Sequence, residues 1–245
     1  MPKIRGTWDE GRTAFGAWIM MSGPASIEVI GASGFDYVSI DCQHGLLAYE
    51  DMRDLLLTLN GIDVSPIVRV PSNDAAWIGK ALDAGAEGVI VPLVNTVEDA
   101  RAAVRACRYP PDGGRSFGPA RRFQAFDGGP AGANAGVLCL PMIETRQGLE
   151  NADAICATDG VDGIYIGPFD LALSSGLQAF APEHEDAITH IHGSCVRAGI
   201  VPGIHAIDGA MAKGRAEQGF KLVTVMDDST MLSRSASTEL GVARS

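Results

Sequence analysis

Positive charge is scarce in this chain. Lysine and arginine number 19 against 30 aspartates and glutamates, a formal net charge of −11 over 245 residues. Nucleic-acid binders usually carry a basic patch; only the short Arg115–Arg122 cluster qualifies, so no nucleic-acid partner is expected. Lysine itself occurs four times, as Lys3, Lys80, Lys213 and Lys221. Long apolar runs are missing too. None approaches the roughly 18 residues that span a bilayer, and the opening MPKIRGTWDEGR lacks the apolar core of a secretion signal. No membrane association is expected. The five cysteines (Cys42, Cys107, Cys139, Cys156, Cys195) are odd in number and show no C-x-x-C spacing, which fits a reducing, cytoplasmic setting.

Aromatics are sparse at 6%, whereas glycine is abundant at 30 residues. Four segments share one form: ASGFDYVSI (32–40), DAGAEGVIV (83–91), TDGVDGIYI (158–166) and EQGFKLVTV (217–225). Each closes a helix near a glycine, turns within two or three residues and enters a β-branched apolar run, the αβ step of a parallel sheet. The pattern predicts eight strands, roughly at 15–21, 36–42, 65–71, 88–93, 137–143, 163–167, 200–205 and 222–227. Between most of them lie helical patterns. Met52, Leu55, Leu56 and Leu59 mark one helix face closed by Gly61, Thr96 with Asp99 resembles a capping box, and 182–198 and 207–218 give two more helices.

Alternating βα units build a barrel or a doubly wound sheet. Eight units in one chain of this length favour a single-domain α/β architecture over 1–245, a (β/α)₈ TIM barrel. The absence of G-x-G-x-x-G after the first strand weakens a dinucleotide-binding sheet. The Gly/Pro-rich stretch 109–136 breaks the repeat, and the pattern assigns it no role.

Barrel enzymes keep their chemistry at the C-terminal ends of the strands. Here those ends carry Asp41-Cys42-Gln43-His44, Arg69, Met142-Ile143-Glu144, Gly167-Pro168-Phe169-Asp170, His205 and Asp227-Asp228. Glu144 and Asp170 fall one βα unit apart, on neighbouring strands about 4.8 Å apart. Two carboxylates with waters and a chelating substrate suit Mg²⁺ or Mn²⁺; equally, each can cap the helix that follows it. Asp41 and His44 share one tight turn, where a carboxylate bonded to the imidazole would make a general base; an ordinary loop histidine is the alternative. Arg69 either pairs with Asp41 or stabilises a developing enolate oxygen. The N–H groups of the Gly167–Asp170 turn can hold a carboxylate. Leu46, Leu47 and Tyr49 line an acceptor pocket or pack the next helix. None of the four lysines is well placed for a Schiff base, so carbanion chemistry here would need a metal as electron sink.

The segments GFDYVSIDCQHG, PIVRVP, DAGAEGVIVPLV, ARAAVRACRYPPDGGRSFG, PMIET and VDGIYIGPFDLA, in that order, resemble the HpcH/HpaI aldolase/citrate lyase family. More narrowly they resemble its class II, metal-dependent pyruvate aldolases, such as the 4-hydroxy-2-oxoheptanedioate and 2-dehydro-3-deoxyglucarate aldolases. The resemblance implies reversible cleavage of a 4-hydroxy-2-oxo acid into pyruvate, or a related 2-oxo acid, and an aldehyde through a metal-bound enolate. Glu144 and Asp170 would hold Mg²⁺, Mn²⁺ or Co²⁺. Arg69 would stabilise the enolate, His44 oriented by Asp41 would move protons, and backbone groups around Phe169 and Asp170 would hold the pyruvate carboxylate. Family members are typically hexamers, trimers of dimers that exchange a C-terminal helix, and Asp83 matches a position that reaches a neighbouring subunit's site. Three positions depart from the pattern. Gln43 stands where many relatives have Glu, Met142 where Gln is common, and Phe169 where a small residue is usual, so the preferred 2-oxo acid is open. A CoA-ester lyase of the citrate lyase β-subunit type and a non-catalytic 2-oxo-acid-binding barrel are the competing functions.

Overall fold

The computed structural model describes residues 2–118 and 129–245. Eight strands, β1 (Ala14–Ile19), β2 (Tyr37–Asp41), β3 (Ser65–Arg69), β4 (Gly88–Val91), β5 (Leu138–Ile143), β6 (Gly163–Ile166), β7 (Val201–His205) and β8 (Leu222–Asp227), close in chain order into an all-parallel barrel. Helix α1 (Lys3–Asp9) precedes β1. Helices α2 (Pro24–Gly31), α3 (Tyr49–Thr58), α4 (Ala75–Ala84) and α5 (Val97–Cys107) follow β1 to β4 in turn. Helix α6 (Gly129–Ala135) leads into β5, with α7 (Arg146–Glu150) and α8 (Ala152–Cys156) after it. Helices α9 (Pro168–Ser175) and α10 (Pro182–Ala198) follow β6, α11 (Gly209–Glu217) follows β7, and α12 (Asp228–Arg244) follows β8. This is the (β/α)₈ architecture expected from the repeat, with every strand within two residues of its expected span.

The repeated glycine has a conformational reason. Gly34, Gly85, Gly160 and Gly219, one from each repeated segment, all have positive φ. Gly85, at φ 117°, terminates α4 with its N–H on the Leu82 carbonyl, a conformation that would strain a residue with a Cβ. The Thr96–Asp99 box forms as expected: Thr96 Oγ1 accepts from Asp99 N–H at 3.1 Å, and Asp99 Oδ2 from Thr96 N–H at 3.0 Å.

Strand alternation sorts the core into two layers. Side chains pointing outward, such as Val38, Ile40 and Val68, pack under the helices. Those pointing inward, including Trp18, Tyr37, Ile67, Leu140, Met142 and Tyr165, fill the barrel. Gly16 is small because the Tyr37 ring occupies its place; a Cβ there would lie 2.2 Å from the ring. The same two-residue period continues the inward rows to Asp41, Arg69, Glu144, Gly167 and His205 at the C-terminal mouth. Register adds neighbours that spacing along the chain does not give: Asp41 of β2 lies directly beside Arg69 of β3.

Within the stretch 109–136, Asn134 of α6 ties down Tyr109 by paired backbone bonds of 2.7 and 3.0 Å. Arg115 is buried, with its guanidinium 4.6 Å from the centre of the Tyr109 ring. The rest of the Arg115–Arg122 cluster, Arg121 and Arg122, lies outside the described residues. Among the described residues no helix is long and apolar enough to cross a membrane.

Candidate active site

The barrel mouth holds a cavity of about 190 Å³. One part of its wall comes from Trp18, Met20, Asp41, His44 and Arg69; the rest comes from Met142, Gly167, Pro168, Phe169 and Asp170, with His205 and Asp227 completing it. Eight of the residues singled out from the sequence thus meet in one place.

Asp41, fully buried, is the most heavily bonded of them. Arg69 grips it with two bonds, Nε to Oδ1 at 2.8 Å and Nη2 to Oδ2 at 2.6 Å. The backbone N–H groups of Gln43 and His44 donate to Oδ1 at 3.0 and 3.3 Å, and Trp18 Nε1 donates to Oδ2 at 3.3 Å. Burial opposes the charge on Asp41, but Arg69 and the two backbone donors outweigh it and hold its pKa below the ordinary carboxylate value. This corrects the expected Asp41–imidazole pairing. Five donors already surround the carboxylate, and its bond to residue 44 runs through the backbone, so it shapes the loop that carries His44. Gly45 is part of that shape, since a Cβ there would meet the Asp41 carbonyl oxygen at 2.2 Å. Arg69 keeps Nη1 free of any protein bond among the described residues, and its guanidinium lies 4.9 Å over the Trp18 ring.

Glu144 and Asp170 could each have been a helix cap, and neither is. Thr145 caps α7, its hydroxyl accepting from Gly148 N–H at 3.0 Å. Gly167 occupies the N-cap of α9 with no side-chain bond, and Asp170 lies in that helix's first turn. Glu144, only 2% exposed, instead takes the N–H of Leu93 on Oε1 at 2.9 Å. Leu93 adopts φ 55° to deliver that N–H, a conformation that costs a residue with a side chain. Burial raises the Glu144 pKa above the ordinary value, and the nearby Asp170 carboxylate raises it further; the Leu93 bond and the Arg69 charge pull the other way. Glu144 lies behind Gly167 rather than in the cavity wall itself: a Cβ on Gly167 would come within 2.8 Å of Glu144 Oε2 and 2.6 Å of Met142 Cε. A hydrogen at that position is what lets the two carboxylates approach.

A divalent cation fits this pair. Both donors are hard oxygens, their mutual repulsion is offset only in part by the Leu93 N–H and the Arg69 charge, and Mg²⁺-type ions take one or two carboxylates and leave other positions to water and substrate. Among the described residues no three His, Cys, Asp or Glu side chains gather into a closed cage, so the site would be of this open kind.

Phe169 lines the mouth, 47% exposed, and stands edge-on to Phe180 at 5.5 Å between centroids. Phe180 holds a positive φ of 63° while donating its N–H to His184 Nδ1 at 2.9 Å. The bulk at residue 169 therefore rests on a braced neighbour. Asp83 is not brought to this cavity. It sits on α4 and binds Arg115 at 2.5 Å. Leu46 points to solvent, and Leu47 just before α3 and Tyr49 at its first position pack against the core. None of the four lysines lines the cavity: Lys80 lies over the Tyr49 ring, Lys3 pairs with Asp63, Lys213 with Glu217, and Lys221 reaches the Gly11 carbonyl.

Trp18 and Met20 are cavity residues that sequence reasoning passed over, and His205 and Asp227 were noted only as strand ends. The signal for Trp18 was its place in the inward row of β1, in a chain with three tryptophans.

The sequence profile of the HpcH/HpaI aldolase/citrate lyase family matches residues 14–227. The chain is 38% identical to the hydroxypyruvate/pyruvate aldolase of Rhizorhabdus wittichii, over all of this chain and 99% of that one. It is 38% identical to the 5-keto-4-deoxy-D-glucarate aldolase of Escherichia coli, covering 87% of this chain and 85% of the relative. Its fold superposes on a HpcH/HpaI aldolase/citrate lyase family protein from Burkholderia cenocepacia with a TM-score of 0.87, at 31% identity over 95% of both chains.

Proposed function

The chain belongs to the HpcH/HpaI aldolase/citrate lyase family, and from that premise we propose that it makes and breaks the C3–C4 bond of 4-hydroxy-2-oxo acids, with Glu144 and Asp170 as ligands of Mg²⁺, Mn²⁺ or Co²⁺. The observation that carries this reading is that neither carboxylate caps its helix, so that Glu144 and Asp170 lie close enough to interact, within reach of the Arg69 charge and with no lysine in the cavity. Held by Glu144 and Asp170, a divalent cation would supply Lewis-acid chemistry toward the substrate's keto oxygen, the electron sink that C3 needs.

The protein's own groups do the rest. His44, exposed at the mouth, takes the proton from the C4 hydroxyl as the C3–C4 bond breaks; the aldehyde departs, and the bonding electrons move to the C2 oxygen as an enolate. Arg69 offers Nη1 to that oxygen, a donor fixed in advance by its two bonds to Asp41. Return of a proton to C3 gives the 2-oxo acid. The free N–H groups at the start of α9 hold the substrate carboxylate. Met142 supplies an apolar contact beside the donor, and Phe169 narrows the approach for the aldehyde. The test is incubation with pyruvate or hydroxypyruvate, a panel of aldehydes and each cation. Aldol product that disappears on chelation is the expected result; no product with any pair overturns the reading.

Gly167→Ala is expected to lower turnover by about 10²-fold, the scale of a 1 Å displacement in a reacting geometry. The added methyl would crowd Glu144 Cβ at 2.9 Å as well as its oxygen. Steady-state kinetics checks this, with far-UV circular dichroism confirming that the barrel persists.

Helix α12 supports assembly with further copies. Leu232, Leu240 and Val242 are exposed on it, and of its residues only Asp228 is buried, accepting the N–H groups of Met20 and Met21. We place it against neighbouring subunits in a hexamer, where Asp83 would approach a second copy's cavity. Deleting residues 231–245, which spares that anchor, is expected to reduce the particle mass in light scattering; an unchanged mass sinks the proposal.

A further inference from the structure

His205 closes β7 as the last member of its inward row and lines the cavity. Its ring is held on two sides. Nδ1 shares a hydrogen bond of 3.2 Å with the Tyr165 hydroxyl, and the Trp18 ring meets it edge-on at 5.1 Å between centroids. Tyr165 is fixed in turn by Thr224 at 2.5 Å, whose Oγ1 also meets the Tyr37 hydroxyl at 2.9 Å. A chain of four hydrogen-bonded polar side chains thus runs up the barrel interior and ends on this imidazole. Such a network is costly to bury unless its members are satisfied. Nδ1 is satisfied from within. Nε2 has no protein partner among the described residues, yet it is not among the buried polar atoms that lack one, so it is left to the cavity.

The chemistry of that nitrogen narrows what it can bind. Burial, and behind it the Arg69 charge, lower the His205 pKa to about 4, which leaves the ring neutral near pH 7. A neutral ring is a poor anchor for a carboxylate, and Asp227 in the same wall repels one. A carbonyl would suit only one tautomer, whereas a hydroxyl both donates and accepts and so pairs with Nε2 in either.

We propose that His205, positioned by Tyr165, selects substrates that carry a hydroxyl on or next to the reacting carbon. The inference rests on the aldolase reading above and specifies its substrate class. The hydroxyl has two possible sources, a 3-hydroxy-2-oxo acid as donor or a 2-hydroxyaldehyde as acceptor.

The experiment has one arm for each source. The donor arm compares kcat/KM for hydroxypyruvate and pyruvate with one common aldehyde; the acceptor arm compares glycolaldehyde and acetaldehyde with pyruvate. The unaltered enzyme is expected to favour the hydroxylated compound in at least one arm. His205→Leu is expected to lower that preference about tenfold, the scale of one hydrogen bond lost within a site built to make it. The loss falls mainly on KM, and turnover of the unhydroxylated pair persists. His205→Gln restores part of the preference, and Tyr165→Phe weakens it without abolishing turnover. Should His205→Leu fail to fold, the Gln and Phe variants decide by the same ratios. Activity without preference in either arm, or preference unchanged in the variants, overturns the role of His205 alone. No turnover by the unaltered enzyme with any pair overturns both this and the aldolase reading.

Discussion

Glu144→Gln is expected to cut metal-dependent turnover on the order of 10³-fold, the several kcal/mol that a Lewis acid supplies to a developing oxyanion, while making the metal-free protein more stable. The two effects have one cause. Glu144 is buried beside Asp170, and its pKa is raised, first by burial and then by that neighbour. A carboxyl whose folded pKa exceeds its unfolded value costs stability as pH rises from the unfolded pKa through the folded one. Above that window the ionised pair is held together against its own repulsion. Glutamine keeps the size of the side chain and an oxygen for the Leu93 N–H, and removes the charge. Thermal melts across pH 4 to 8, with and without added cation, check this. The unaltered protein is expected to gain stability when the cation is added, in proportion to ligand binding, and the variant to lose that gain. Asp170→Asn is the contrasting case: it relieves the same repulsion but not the burial of the Glu144 charge, so turnover falls and the metal-free melt rises by less than in Glu144→Gln. A Glu144→Gln variant that keeps cation-dependent activity would remove Glu144 from the proposed metal site.

Arg69→Met carries the largest stability loss expected here. Breaking a buried ion pair by removing one partner typically costs about 3–5 kcal/mol, because the remaining charge is stranded. Asp41 is fully buried and Arg69 nearly so, with two bonds joining them. Chemical denaturation of Arg69→Met is therefore expected to show a loss on that scale, and turnover to fall roughly 10²-fold or more from the missing oxyanion donor. Stability and catalysis then separate in the double variant Arg69→Met with Asp41→Asn. The asparagine side chain still accepts the Gln43 and His44 N–H groups and carries no stranded charge, so most of the stability returns. Turnover does not return, because the donor is still missing. Recovery of both together would mean that Arg69 acts only as the counter-ion of Asp41.

The barrel was legible because its determinants are periodic. Positive-φ glycines at Gly34, Gly85, Gly160 and Gly219 mark the ends of four helices, and apolar runs after them mark the strands. The membership of the site was legible for the same reason: residues that end inward rows share the mouth. What each residue touches was less legible. Asp41 and His44 are close in the chain, which suggested a pair; of the two partners the sequence offered for Asp41, the structure joins it to Arg69, its register neighbour, because a buried carboxylate answers to the nearest fixed cation first. Asp83 has no inward row to bring it to the mouth, since it lies on a helix, and in the single chain Arg115 takes it. His205 was visible as a strand end, but its significance depends on Tyr165 and Thr224, polar side chains on two other strands.

Glu144 and Asp170 also differ in freedom of movement. Glu144 is walled in by Gly167 and Met142 and tethered by the Leu93 N–H, so its rotamer is settled before any cation arrives. Asp170 stands exposed in the first turn of a helix with no side-chain cap. The entropy lost on binding a cation at the proposed site would therefore fall mostly on one side chain. Such a site would fill from the open side, with the hinged ligand closing last and letting go first. At the proposed site, exchange of a cation with solvent would then be governed by Asp170 and its geometry by Glu144.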